Sequence, residues 1–205
     1  MPTGVPIPDI RDQLYAAAES VLLREGPDAL TSRAVTTEAG VAKGILHRHF
    51  RDFDGFLAAF VLSHIERLDT LAGNLRAAAG TATVAANVAG ALAAALSPTA
   101  IRIISLVCSR RELLSRLRLT SPTGVPLAME ISKMIAAYLT AERGLGRIPI
   151  QTDVDSLAVL LVGGAHMRAA GLDDRPIKPE HLRDLLEVVT ESAAGHRAER
   201  VTSKS

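Results

Sequence analysis

The stretch that decides the fold is TSRAVTTEAGVAKGILHRHF, residues 31–50. It reads as a short helix over Ser32–Ala39, a stop at Gly40, and a second short helix from about Ala42 to His49. Thr31 is a residue type that caps a helix start, because its hydroxyl can accept from a backbone N–H that has no partner in the first turn. On a wheel of about 100° per residue with Lys43 at zero, Lys43, His47, Gly44 and Arg48 fall at about 0°, 40°, 100° and 140°. Ile45, His49, Ala42 and Leu46 fall at about 200°, 240°, 260° and 300°. One face is thus small, polar and basic, and the other is mostly apolar. The apolar face is expected to pack on Val35, Ala39 and a preceding helix. His49, on that face, is expected to be a structural histidine bonded to nearby backbone.

A short helix that exposes Lys43, His47 and Arg48 beside a glycine turn has the geometry of a helix-turn-helix reader. Gly44 on the exposed face would let the helix approach a DNA backbone or a thymine methyl closely. Charge is focused in the same place. Residues 31–51 hold four basic residues against Glu38 alone, whereas residues 9–30 hold two against five. That is what a local phosphate patch requires. From spacing alone, an ordinary amphipathic helix hairpin with a solvated polar face remains the alternative.

The rest of the chain sets bounds. It has 205 residues, 48% of them apolar, and 23 Lys+Arg against 22 Asp+Glu give a net charge of +1. Binding of nucleic acid through bulk positive charge is excluded, so any such role rests on a patch. The single cysteine, Cys108, excludes an intrachain disulfide framework and a cysteine-based zinc cluster. No window has 18 or more uninterrupted apolar residues, and MPTGVPIPDIR lacks a basic region followed by an apolar one. The expectation is a reduced, cytoplasmic protein with no membrane partner. No nucleophile–base spacing, phosphate loop or metal motif is visible, so neither an enzyme nor a cofactor is expected.

Breakers divide the remainder into helices, and no stretch must be a strand. They are expected at Asp9–Arg24, in a long helix capped by Asp52, and at Thr83–Leu96. Further helices are expected at Thr99–Leu119 with a break near Ser109, Gly124–Arg143, Asp153–Ala170 and Pro179–Ser192. Pro98, Pro126 and Pro179 stand at the first turns, where proline is tolerated. Gly73–Gly80 loosen the chain and place a subdomain boundary there or just before. The division adopted is a reading head at 1–52, a helical body at 53–195 and a frayed tail at 196–205.

The stretch AAAESVLLREGPDALTSRAVTTEAGVAKGILHRHFRDFDGFLAAFV resembles the N-terminal DNA-binding region of the TetR family of transcriptional regulators. Gly26, Thr31, Ala39-Gly40-Val41, Gly44, Leu46, His49-Phe50, Asp52 and Leu57 carry the likeness over about 50 residues. GLGRIPIQTDVDSLAVLLVGG, residues 144–164, resembles the family's connection into its penultimate long helix. The resemblance implies an all-α protein, with an N-terminal three-helix DNA-binding domain and a C-terminal helical domain for effector binding and dimerisation. It further implies a homodimer that reads a palindromic operator in double-stranded DNA and responds to a small molecule of unknown identity. The DNA-facing set is Thr31, Ser32, Arg33, Lys43, Gly44, His47 and Arg48. His47 stands where the family commonly has a tyrosine that touches phosphate, and Phe53 where it has a lysine. Asp52 and Asp54 add negative charge at that helix start, which weakens it as a phosphate seat.

In the family the effector pocket sits in the carboxy-terminal helices. Candidate lining here is Phe60, His64, Ile104, Cys108, Met129, Met134 and His166, each of which also reads as plain core. With few aromatics, an apolar or amphipathic guest fits better than a stacked planar cation. The alternative is a helical regulator without a pocket, governed by a protein partner. The arginines at 102, 110, 111, 116 and 118 read either as a solvated surface or as a subsite for an anionic head group. His64, Cys108 and His166 lack metal-ligand spacing, so no metal is expected. The family's four-helix dimer bundle maps onto Leu157, Leu160, Leu161 and Gly164 of one helix and Leu182, Leu186 and Val189 of the next. A repressor released by its effector is the expected function.

Overall fold

A computed structural model describes residues 9–120, 122 and 124–170. These form nine α-helices and no strand: α1 Ile10–Glu25, α2 Ser32–Glu38, α3 Gly44–His49, α4 Phe53–Ala77, α5 Val84–Ala95, α6 Pro98–Ser109, α7 Arg111–Leu117, α8 Pro126–Gly144 and α9 Val154–Ala170. The expected helix Pro179–Ser192 and the tail 196–205 lie outside the described residues, as do Leu182, Leu186 and Val189. Helix starts follow capping chemistry. Asp9 accepts from Arg11 N at 3.0 Å, Thr31 from Ala34 N at 3.2 Å, Asp52 from Gly55 N at 2.7 Å and Thr83 from Ala86 N at 3.1 Å. Pro98 and Pro126 are the first residues of α6 and α8. The stretch read as Thr99–Leu119 breaks at Arg110, which has extended backbone at φ −116° and ψ 100°.

The chain divides into two compact units. One holds residues up to Glu66 together with Pro98–Leu127, and the other holds Arg67–Ser97 and the residues from Ala128 on. The first unit is larger than a reading head ending at residue 52. Its core explains why. All four phenylalanines lie between residues 50 and 60, and three of them gather around Tyr15 of α1. The Tyr15 ring is 6.2, 5.8 and 5.9 Å from those of Phe50, Phe56 and Phe60, and Phe50 meets Phe56 edge-on at 5.1 Å. Leu14, Leu22, Val35 and Leu46 from α1–α3 are fully buried, as are Leu30 between α1 and α2 and Ile103, Leu106, Val107 and Leu113 from α6 and α7. Each such side chain contributes about 1.5–3 kcal/mol when withdrawn from water.

The second unit buries Val88 and Leu92 of α5, Ile131, Ile135, Tyr138 and Leu139 of α8, and Ala158, Leu161 and Ala165 of α9. A polar knot closes one end of it. Glu142 is 0% exposed. Its Oε1 accepts from the Tyr138 hydroxyl and from Gly80 N at 3.2 Å, and Arg147 Nη1 lies 3.1 Å from its Oε2. Arg147 also donates to the Thr81 and Ala82 carbonyls, and Asn87 Nδ2 donates to Tyr138 Oη at 2.9 Å. The α4–α5 loop is thereby tied to the end of α8. Burial, and then the bond to Glu142, push the Tyr138 hydroxyl up to about 12.

Candidate nucleic-acid interface

The turn between α2 and α3 is built by backbone. Gly40 has φ +65°, the left-handed region where a side chain is strained. Its N–H donates to the Thr37 carbonyl at 3.1 Å, and Val41 N–H donates to that of Thr36 at 3.0 Å. Gln13 of α1 reaches across to the Ala39 carbonyl at 2.8 Å, and Arg24 and Ser20 of α1 both bind Glu38. α2 is therefore held against α1 by its turn as well as by Val35.

α3 is only six residues long and is seated by two side chains four positions apart, Leu46 at 0% and Phe50 at 7% exposure. Ile45 is half-buried. Lys43, Gly44, His47 and Arg48 are all exposed, as is Arg33 of α2. A Cβ built on Gly44 would meet nothing within 4 Å, so the surface there is open.

Three expectations need correction. His49 is exposed, not inward. The buried seam of so short a helix is one residue wide, and His49 stands in the last turn beyond its reach. The helix also begins at Gly44 rather than Ala42, because the Ala42 carbonyl closes a tight turn to Ile45 N at 2.9 Å, which leaves Ala42 exposed. Ser32 is half-buried, and its hydroxyl oxygen is enclosed without a hydrogen-bond partner, so this conformation does not offer it to DNA. Thr31 is exposed, but its hydroxyl is already engaged as the α2 cap.

The charge pattern is sharper than residue counting indicates. Glu38, the lone acid in residues 31–51, is bound by Arg24 at 2.9 Å. The Arg24 hydrogen bonds hold its carboxyl below the usual carboxylate range. Among the described residues, Arg33, Lys43, Arg48 and Arg51 form no ion pair, so their charge faces solvent. Nor do Asp52 and Asp54 stand bare. Arg116 grips Asp52 with both terminal guanidinium nitrogens, at 2.8 and 3.0 Å, and Arg110 lies 3.8 Å from Asp54. The Gly55 N–H and then Arg116 hold the Asp52 carboxyl below its ordinary value. Phe53 stacks on Phe56, with the Arg110 guanidinium 5.5 Å from its ring centre. Two members of the arginine run thus bind within the unit. They are neither merely solvated nor free for an anionic head group. No local sequence signal marks these pairs, because Asp52 and Arg116 are 64 positions apart.

The expected pocket residues scatter in environment. Phe60, Ile104 and Met134 are buried, and Met129, His64 and His166 are half-buried. Cys108 is exposed and lines no interior, because α6 turns Ile104 and Val107 inward instead. Phe60 is part of the aromatic core. His64 Nδ1 lies 3.0 Å from the Phe60 carbonyl, and Nε2 lies 3.8 Å from Glu19. On α9, Leu161 is 1% exposed and packs into its own chain, which withdraws it from the expected interface. Leu157 and Gly164 are half-buried, and Leu160 is 68% exposed. Among the described residues no cluster of His, Cys, Asp and Glu could hold a metal ion. No single described helix is long and apolar enough to cross a membrane.

His166 carries a prediction. Burial holds its imidazole below the ordinary 6.5, and its Nδ1 is enclosed without a partner. The folded state therefore resists the proton more than the unfolded chain does. Stability from this group is complete above about 6.5 and is lost as pH falls below it. Thermal unfolding from pH 8 to 5 should show a steeper acid loss for wild type than for His166→Gln. Parallel profiles would contradict the assignment.

A helix-turn-helix that presents unpaired cations has the build of a DNA-binding element. Residues 14–60 match the family model of bacterial regulatory proteins, tetR family. NemR of E. coli in its reduced form shares the fold at a TM-score of 0.68 and 18% identity, over 87% of this chain and 96% of that one. A TetR-family member from Streptomyces coelicolor A3 does so at 0.63 and 23%, over 89% and 99%. The multidrug binding protein EbrR complexed with imidazole does so at 0.60 and 21%, over 89% and 96%. At these identities the likeness is one of fold. No curated protein matches the chain in sequence. The family match covers the helix-turn-helix with most of α1 and the start of α4.

Proposed function

We propose that the chain is a cytoplasmic repressor that grips a palindromic operator as a homodimer and is released by a small apolar or amphipathic effector. The observation that carries the reading is the set of unpaired cations, Arg33, Lys43 and Arg48, around an open Gly44. Lys43 and Arg48 are the base or phosphate donors of α3. Arg33, beside Thr31, meets phosphate from α2, and His47 offers one more donor. Selection from a random duplex library tests this. The expected product is a symmetric site with half-sites about 10 base pairs apart, or a multiple of that. Failure to enrich any sequence over the starting pool would contradict it.

Dimerisation is assigned to the outer face of α9. Val159, Leu160 and Met167 are 49%, 68% and 73% exposed, with exposed Gly163 between them. Apolar side chains on one face of a helix are a self-complementary surface for a twofold partner. Leu160→Glu should convert a dimer to a monomer at micromolar concentration in sedimentation, with unchanged helicity. A persistent dimer would place the interface elsewhere. For the effector, the enclosed and unpartnered His166 Nδ1 supplies a polar handle, since a buried polar atom without a partner is rare.

A further inference from the structure

The helices that read DNA hang between two points, and both are held by arginines from outside the helix-turn-helix. α6 and α7 meet at Arg110, in the same compact unit as α1–α3. Arg110 Nη2 donates to the Leu30 carbonyl at 2.8 Å, one residue before the α2 cap. Arg110 also lies 3.8 Å from Asp54. One helical turn and a half further on, Arg116 forks onto both oxygens of Asp52. Leu113 and Leu117, at 0% and 1% exposure, seat α7 in the core, so the guanidinium groups project from a fixed base. Residues 31–51, which include every exposed cation of the reading surface, lie between these two clamps.

We propose that Arg110 and Arg116 are positioning residues for DNA reading, bracketing the helix-turn-helix at Leu30 and at Asp52 and thereby fixing the orientation of α3. The inference rests on the DNA-binding reading above. A six-residue helix is too short to be stable by itself, and α3 buries only Leu46 fully. Its direction is therefore set by its ends. The turn that leads into it is tied to α1 where Gln13 donates to the Ala39 carbonyl. The far end of α3 runs through Phe50 into Asp52, where a forked arginine–carboxylate pair fixes angle as well as distance. The pair is half-exposed, at 32% and 40%, so its worth to global stability is small. Its worth lies in geometry, because displacement of α3 costs contacts to DNA that the fold never feels.

The charge at Asp52 gives a test by sign. Asp52→Asn removes a negative charge beside the reading surface and keeps a residue that caps helices well. If electrostatics alone mattered, DNA binding would tighten. The bracket predicts that it weakens by about tenfold, the equivalent of one lost contact. Arg116→Ala should weaken binding similarly, and Arg116→Lys by less. The double variant Arg116→Ala with Asp52→Asn should bind no worse than either single one, because both remove one interaction. The salt slope should be unchanged in all, since no phosphate contact is lost. The probe is the duplex enriched by wild type from a random library, with thermal unfolding recorded alongside. Amide hydrogen exchange without DNA is the second arm. Residues 44–52 should exchange faster in Asp52→Asn, while the core of α1 does not. If wild type enriches no duplex, the DNA reading fails, and the exchange arm still decides the bracket. Tighter or unaltered binding by Asp52→Asn, or unchanged exchange over residues 44–52, would overturn the proposal.

Discussion

Glu142→Ala should lower the free energy of unfolding by about 3–5 kcal/mol, the range for removing one partner of a buried ion pair. At about 2–4 °C per kcal/mol for a chain of this size, the melting temperature falls by roughly 6–20 °C. The carboxylate is wholly enclosed and satisfies the Tyr138 hydroxyl, the Gly80 N–H and the Arg147 guanidinium together. Alanine leaves the hydroxyl and the amide without an acceptor, and each such buried group costs about 1–3 kcal/mol. Arg147 suffers less, because 29% of its side chain reaches water and it keeps the Thr81 carbonyl. Glu142→Gln keeps the shape and one acceptor and should cost less than alanine. Urea unfolding with unchanged m-values is the measurement. A loss below about 1 kcal/mol for alanine would show that the knot contributes only what a surface pair does.

The second large effect is on DNA. The double variant Lys43→Ala, Arg48→Ala should bind the selected duplex about a hundredfold more weakly for each subunit engaged, from ~1.4 kcal/mol for each lost contact. Where both side chains meet phosphate, the slope of log affinity against log salt should also flatten by about two per subunit. Both side chains are exposed and unpaired, so neither removal should alter folding. Unchanged affinity and slope at matched salt would remove α3 from the interface.

What was legible in the sequence is what depends on neighbours along the chain. Thr31 caps α2, Gly40 ends it with a positive φ, and Leu46 faces in while Lys43, His47 and Arg48 face out. Periodicity carries that information because a helix repeats every 3.6 residues. His49 misled because the wheel assumes a buried stripe of full width, and a six-residue helix has room for one row. Leu160 and Leu161 both map onto the family's dimer bundle, yet neighbours on a helix point about 100° apart. One is buried and the other exposed. The arginine bracket and the Glu142 knot were not legible at all. Their partners are separated by 80 positions for Arg110 and Leu30, 64 for Arg116 and Asp52, and 62 for Glu142 and Gly80. A carboxylate near the end of α8 carries no mark, in composition or spacing, that a distant loop will enclose it.

The exposed cations on α2 and α3 are proposed to meet DNA. Amide hydrogen exchange of the wild-type chain with and without the selected duplex tests this most directly, because it reports the contacted segment without a mutation. Protection should rise over residues 31–51 and be unaltered along the interior of α5. Protection confined to some other surface, with residues 31–51 exchanging as in the free protein, would contradict the account.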